Sequence, residues 1–426
     1  MNTGFKVKTL LFSSGERFPV LVDRLGQPVF EVVTYSLTEL RARNQATNTI
    51  SNSLRALLVF YLFLDLRQIN LQERLDAGQL LSLGEIEELS RLCRIPVERI
   101  SDQCAQSENL TKPVVSLEKI RMGSHLSSEE EIVPASAANR LRCIRDYLEW
   151  MVTERLLRKG SDWPFRTVLE SAGKNVSNAI NARLPSKAGG SLTGLREGLE
   201  PAEVSRMLQI INPHSPDNPW QDEHSRYRNA LAILWLHYLG LRRGELLGVR
   251  ISDIDFREST VVVARRADDP TDPRKYQPNV KTRARKLPLS PDLLGKTHSY
   301  IMNQRAAVPG IRKQKHDFLL VASDTGDPLS IPSLSKVFDV LRKKCPELPR
   351  GLSPHVLRHT WNDRFSETMD KKQVAEETEK RLRAELMGWS PTSATPAIYT
   401  RRHTRKRAQE VSLEMQTQMI EGGGDE

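Results

Sequence analysis

Gly240-Leu241-Arg242-Arg243-Gly244-Glu245-Leu246 follows directly on an apolar stretch, residues 225–239, whose length and pattern predict one long core helix. Taken alone, Arg242 reads as a cation at a helix end, favourable where the last carbonyls lack partners. Glu245 reads as structural, holding Arg242 or the local turn. Upstream, Leu199-Glu200-Pro201 opens a helix with proline near its first turn. Downstream, residues 260–264, 283–289 and 318–321 are predicted strands, followed by helices to the end, with residues 370–385 as one extended charged helix.

Further upstream, residues 185–198 carry Gly189, Gly190, Gly194 and Gly198 and read as a linker. Before it the signal is helical. Leu54, Leu57, Leu58, Tyr61, Leu62 and Leu64 crowd one broad face, and Leu141, Ile144, Leu148, Met151 and Val152 form a second stripe at spacings of three and four. Ser82 with Glu85 three positions on marks a helix start. Residues 108–136, with Pro113, Gly123, Pro134 and an acidic run, read as a loop. The first forty residues hold three β-rich runs, 7–12, 18–22 and 29–35, separated by turn signals. The divisions are therefore a β-rich region over 1–45, a helical domain over 46–186, a linker over 187–198 and a mixed domain over 199–426. No internal repeat is found.

A chain of 426 residues exceeds what one hydrophobic core usually organises, which agrees with those divisions. Hydrophobic content of 38% and charged content of 27% describe an ordinary globular protein, and the net charge of +10 favours a polyanionic partner, nucleic acid before membrane. Four cysteines stand far apart with no C-x-x-C pair, which argues against a zinc site or disulfide scaffold and fits a reducing cytoplasm. Residues 1–16 carry no signal-peptide pattern. The most apolar stretch, residues 54–66, is interrupted by Arg55 and Asp65 and is too short to cross a bilayer. A soluble, cytoplasmic protein is expected.

Three more segments join the first: Lys281-Thr282-Arg283-Ala284-Arg285-Lys286-Leu287-Pro288-Leu289, His355-Val356-Leu357-Arg358-His359-Thr360, and Leu386-Met387-Gly388-Trp389 followed ten residues later by Tyr399. Across residues 199–420 the chain resembles the tyrosine recombinase, or phage integrase, family, with all its motif boxes in order. The resemblance implies a fold that is mainly α with a small antiparallel β-sheet: a helical core-binding domain followed by a mixed α+β catalytic domain. It also implies catalytic roles for Arg242, Lys281, His355, Arg358, Trp389 and the nucleophile Tyr399, with Glu245 and His359 in support. Lys286 is the rival to Lys281 as general acid.

The chemistry of these side chains stands beside the resemblance. Breaking a phosphodiester without a metal needs fixed positive charge around a crowded phosphorus, and guanidinium groups fork onto two of its oxygens. A tyrosine phenol, with a reference pKa near ~10, loses its proton as it attacks. Histidine hydrogen-bonds a phosphate oxygen or assists proton transfer, and an indole N–H donates. The basic residues Arg243, Arg283, Arg285, Lys286, Arg401 and Arg402 are expected to contact DNA phosphates; the blander reading makes them a solvated surface. His359 reads more readily as a buried hydrogen-bonding histidine than as a reactant, and Trp389 in isolation as core.

The resemblance further implies double-stranded DNA with specific recombination sites as partner, and a dimer on each site that pairs into a tetramer. A C-terminal helix over 408–420 would dock on a neighbouring subunit, accessory recombination proteins can join, and no cofactor or metal is expected. The rival functions are relaxation of supercoils by type IB topoisomerase chemistry, and DNA binding without catalysis.

Overall fold

A computed structural model of the chain describes residues 4–101, 131–185, 198–278, 280, 282–390, 408–409 and 411–416. Residues 187–197 of the expected linker, residues 108–130 of the expected loop, Lys281, Tyr399, Arg401 and Arg402 lie outside these residues. The chain divides into two compact units, Met1–Phe12 with Arg17–Ser191, and Ser13–Glu16 with Leu192–Glu426.

The first unit combines an antiparallel pair, β1 (Lys6–Leu11) and β2 (Arg17–Val22), with helices α1 (Phe30–Tyr35), α2 (Thr47–Leu66), α3 (Leu71–Asp76), α4 (Leu83–Leu92), α5 (Pro134–Lys159) and α6 (Arg166–Ala182). Leu21, Val32, Tyr35 and Leu40 share one core with Leu54, Leu57, Phe60 and Tyr147, so the first forty residues are built into the helical body. The third β-rich run is a correction to the sequence reading. Residues 30–35 are helical because Val32, Tyr35, Ser36 and Leu40 fall on one buried stripe, and packing overrides the β-propensity of the valines. Helix α2, at twenty residues, has the length and apolarity of a membrane span, longer than residues 54–66 alone indicated. Yet 61% of its apolar window is buried inside the unit, as expected for a core helix. Ser82 caps α4 with the reciprocal Glu85 contact predicted for it. The last three residues of the expected loop, 134–136, are instead the first turn of α5, with Pro134 where its missing N–H costs nothing.

The second unit holds α7 (Pro201–Ile211), α8 (Glu223–Leu239), α9 (Arg243–Leu247), a three-stranded antiparallel sheet of β3 (Ile254–Asp255), β4 (Thr260–Val263) and β5 (Arg285–Pro288), then α10 (Pro291–Ser299), α11 (Ile331–Lys344), α12 (Pro354–Lys371) and α13 (Glu376–Met387). The molecule is thus mainly α with small antiparallel sheets. Helix α8 is the spine: Leu231, Trp235 and Leu236 pack into one core with Leu246, Val261, Leu287 and Leu357. It starts on an Asp222 carboxylate that accepts the Ser225 N–H and ends at Gly240, whose φ of 59° reverses the chain into the arginine segment.

Two sequence expectations are corrected here. Residues 318–321 form no strand; they make only single bridges, Arg250 to Phe318 and Val321 to Pro328, although all four side chains are buried. An apolar run of four has the same signature whether it is a strand or a buried connector. The single extended helix over 370–385 is broken between α12 and α13 at Gln373, with φ 53°. The reversal lets Arg383 of α13 turn back onto Ser366 (2.5 Å) and the Asn362 carbonyl (3.4 Å) of α12, burying a charge that a straight helix would leave in water. The C-terminal helix is seen at residues 408–409 and 411–416, with Val411 and Met415 exposed.

Candidate active site

Glu245 is the centre of the site. Its side chain is fully buried, and four residues converge on its two oxygens. Arg242 donates its backbone N–H to Oε2 (3.0 Å) and Nη1 to Oε1 (3.3 Å). Thr282 donates its hydroxyl to Oε1 at 2.7 Å, and Arg285 donates Nη2 to Oε2 at 2.8 Å. Arg358 brings Nη1 to 3.8 Å of Oε2. Burial pushes the carboxyl upward, but Arg285 and Arg358, with the bonds from Arg285 and Thr282, outweigh it and hold the group down to about 2. Glu245 therefore stays ionised through any physiological range.

The folded state favours the charged form, so this group's stabilising contribution is complete above its unfolded value near 4.5 and is lost as pH falls toward about 2. The stability difference between the wild type and Glu245→Gln should accordingly shrink as pH is lowered from 5.5 toward 2.5 in urea titrations. A constant difference would rule out an ionised carboxylate as its source.

Arg242 and Arg358 sit differently on this carboxylate. Arg242 caps the short α9 and keeps 28% of its side chain exposed. Arg358, in the second turn of α12, is completely buried and donates Nη1 to the Gly240 carbonyl at 2.6 Å. That bond ties α12 to the turn that carries Arg242. His355, Arg358 and His359 occupy i, i+3 and i+4 of one helix, hence one face. The two imidazoles meet edge-on with centroids 4.6 Å apart; His355 is half-buried and His359 buried. Since α12 begins at Pro354, the histidine face also lies in the positive field of an eighteen-residue helix's first turns.

Trp389 closes the cluster. The Arg358 guanidinium stands 5.5 Å from its ring centroid, and the indole packs on Met387 in a small buried group. Gly388, with φ 66°, lets the chain turn after α13, and its carbonyl accepts the Arg283 N–H at 3.0 Å. A Cβ there would lie 2.8 Å from the Arg283 carbonyl oxygen and 3.0 Å from Arg285 Nη1. Gly388→Ala should cost roughly 2–4 kcal/mol of unfolding free energy through left-handed strain and overpacking. An unchanged urea midpoint would count against this close approach.

The structure thus brings together Arg242, Glu245, His355, Arg358, His359 and Trp389. The hairpin residues divide. Arg243, Arg283 and Lys286 are exposed, while Arg285 is a correction: expected to meet phosphates, it is buried with 2% of its side chain accessible. Alternation along β5 is the reason, because Arg285 and Leu287 face inward and Lys286 faces the opposite side, away from Glu245. Thr282 was missed by sequence reading; its position directly after Lys281 in the same box was the available signal. Gly240 and Gly388 were quoted within their boxes, but their positive φ values appear only in the structure.

Three guanidinium groups thus meet one buried carboxylate, with two imidazoles on the helix that carries Arg358 and an indole ring beside its guanidinium. Over residues 197–406 the chain matches the Phage integrase family, which includes the tyrosine recombinases. It is similar to Tyrosine recombinase XerC of Proteus mirabilis, 24% identical over 282 residues that cover 66% of this chain and 72% of that one. Among solved structures it is similar to XerH site-specific recombinase bound to palindromic difH substrate, with 14% identity and a TM-score of 0.46 over 84% of this chain and 95% of that one. A second is the Tn1549 transposon Integrase in complex with transposon right end DNA, with 19% identity and a TM-score of 0.40 over 76% and 93%.

Proposed function

We propose that the chain is a site-specific recombinase that cuts and rejoins duplex DNA through a 3′-phosphotyrosine intermediate and serves integration or transposition of a mobile element. The observation that carries this reading is the convergence of Arg242 and Arg358 on one buried carboxylate within a phage integrase family domain. In the reaction the Tyr399 phenol oxygen attacks the scissile phosphorus, and the bond to the 5′ oxygen of the next nucleotide breaks. Arg242 and Arg358 bind the non-bridging oxygens as charge grows there, His355 and the Trp389 indole add donors, and Lys281 returns a proton to the departing 5′ oxygen. The phosphotyrosine keeps the energy of the broken bond, so a 5′ hydroxyl from a second strand reverses the step without ATP, and no metal is needed.

The partners in this reading are double-stranded DNA with specific sites, further copies of the chain in a dimer per site and a tetramer in synapsis, and accessory recombination proteins. The C-terminal helix is the element that reaches a neighbouring copy. Arg243, Arg283, Lys286, Arg401 and Arg402 contact phosphates, so binding weakens steeply with salt. The expected compartment is the bacterial cytoplasm, at the nucleoid.

The test uses a duplex recovered by binding selection from a randomised pool, then nicked near the scissile position so that cleavage traps the product. Full-length protein in EDTA should form an SDS-resistant adduct on a 3′ end. Binding without any adduct would make the protein a non-catalytic DNA binder, and relaxation of supercoiled plasmid lacking the site would favour topoisomerase chemistry.

A further inference from the structure

We infer that Arg285 is a positioning residue for strand cleavage, a buried counter-charge that frees Arg242 and Arg358 to hold the phosphate; the inference rests on the recombinase reading above. Its guanidinium has a separate bond in each of three directions. Nη2 meets Glu245 at 2.8 Å, Nη1 meets the Thr282 hydroxyl at 3.2 Å, and Nε meets the Leu386 carbonyl at 2.7 Å. These partners belong to three segments far apart in sequence: the arginine turn, the bend just before β5, and the end of α13 that leads into Trp389. With its side chain 2% exposed, Arg285 does not itself reach a phosphate in the groove.

The charge balance gives the arrangement its purpose. Glu245 faces three guanidinium groups, so the cluster carries a net charge of about +2, with the carboxylate's closest guanidinium contact at Arg285. Without Arg285 the ionised carboxylate would be left, among the described residues, with Arg242 and Arg358 as its cationic partners. Both would be drawn inward, and the net charge offered to a phosphate would fall by half. Neutralising carboxylate and arginine together restores that charge. A residue that merely filled space would not behave so.

The test measures the adduct-forming rate on saturating nicked duplex, with affinity and melting temperature recorded for every variant. Arg285→Gln should slow adduct formation by about 10²-fold or more at nearly unchanged DNA affinity. The double variant Arg285→Gln with Glu245→Gln should recover roughly tenfold of that loss, because the net charge is restored. A double variant as slow as, or slower than, Arg285→Gln overturns the inference, as does an Arg285→Gln rate within about threefold of the wild type. Should Arg285→Gln fail to fold, the comparison passes to Glu245→Gln alone, which leaves Arg285 buried and repelling the clamp. That variant should then be slower than the double variant, and the reverse order overturns the inference. A wild type that binds duplex but forms no adduct instead removes the recombinase reading itself, so the two failures are told apart.

Discussion

Tyr399→Phe should abolish covalent capture of nicked duplex, lowering adduct yield at least about 10³-fold, while DNA affinity stays within about twofold. The argument is chemical. Phenylalanine keeps the ring and removes only the oxygen, which in the proposed reaction is the atom that bonds to phosphorus. In the proposed reaction the arginines, imidazoles and indole would stabilise charge on a phosphate but make poor substitutes for a nucleophile, and water attacking in place of the phenol would leave a free 3′ phosphate. Denaturing gels of end-labelled duplex distinguish the outcomes: a shifted protein–DNA band for the wild type, uncut strand for the variant. A shifted band that persists in Tyr399→Phe would falsify this assignment and send the search to another side chain.

How far the site was legible in the sequence follows from the kind of signal each residue leaves. Arg242, His355, Arg358 and Trp389 lie in short boxes whose order is their signature; the structure sets both arginines on one carboxylate, with Trp389 beside Arg358 and His355 one turn before it on the same helix. Helices α2, α4, α5 and α8 were legible because an apolar stripe of period 3.6 and a capping residue are local features. What the sequence hid is non-local. Arg285 has the look of a solvated basic strand residue among Arg283 and Lys286; only the register of β5 against β4, and the approach of Leu386 a hundred positions later, turn it inward. Residues 30–35 and 318–321 show the same limit from the other side, since β-rich composition was overruled by the packing around it. The reversal at Gln373 left no glycine or proline mark, so the charged run around it looked like one helix.

Alanine at Arg242 and at Arg358 should depress cleavage alike, by about 10²–10³-fold each, yet affect folding very differently. Arg242 is partly exposed, and of its two bonds to Glu245 alanine keeps the backbone one (3.0 Å) and removes only the longer side-chain one (3.3 Å). Its loss should leave the urea midpoint almost unchanged. Arg358 has no exposed surface; its truncation removes the donor to the Gly240 carbonyl, one of the cations facing Glu245, and the body on which Trp389 packs. Removing one partner from such a buried polar cluster typically costs about 3–5 kcal/mol, so Arg358→Ala should also lower the melting temperature by several degrees. Arg358→Lys should rescue neither property fully, because an ammonium cannot serve the Gly240 carbonyl, Glu245 and a phosphate at once. Unfolding curves set beside adduct-forming rates for the three variants test the assignment directly. An Arg242→Ala protein that is destabilised as much as Arg358→Ala would mean that both arginines serve chiefly to hold the fold, and the clamp would have to be sought elsewhere.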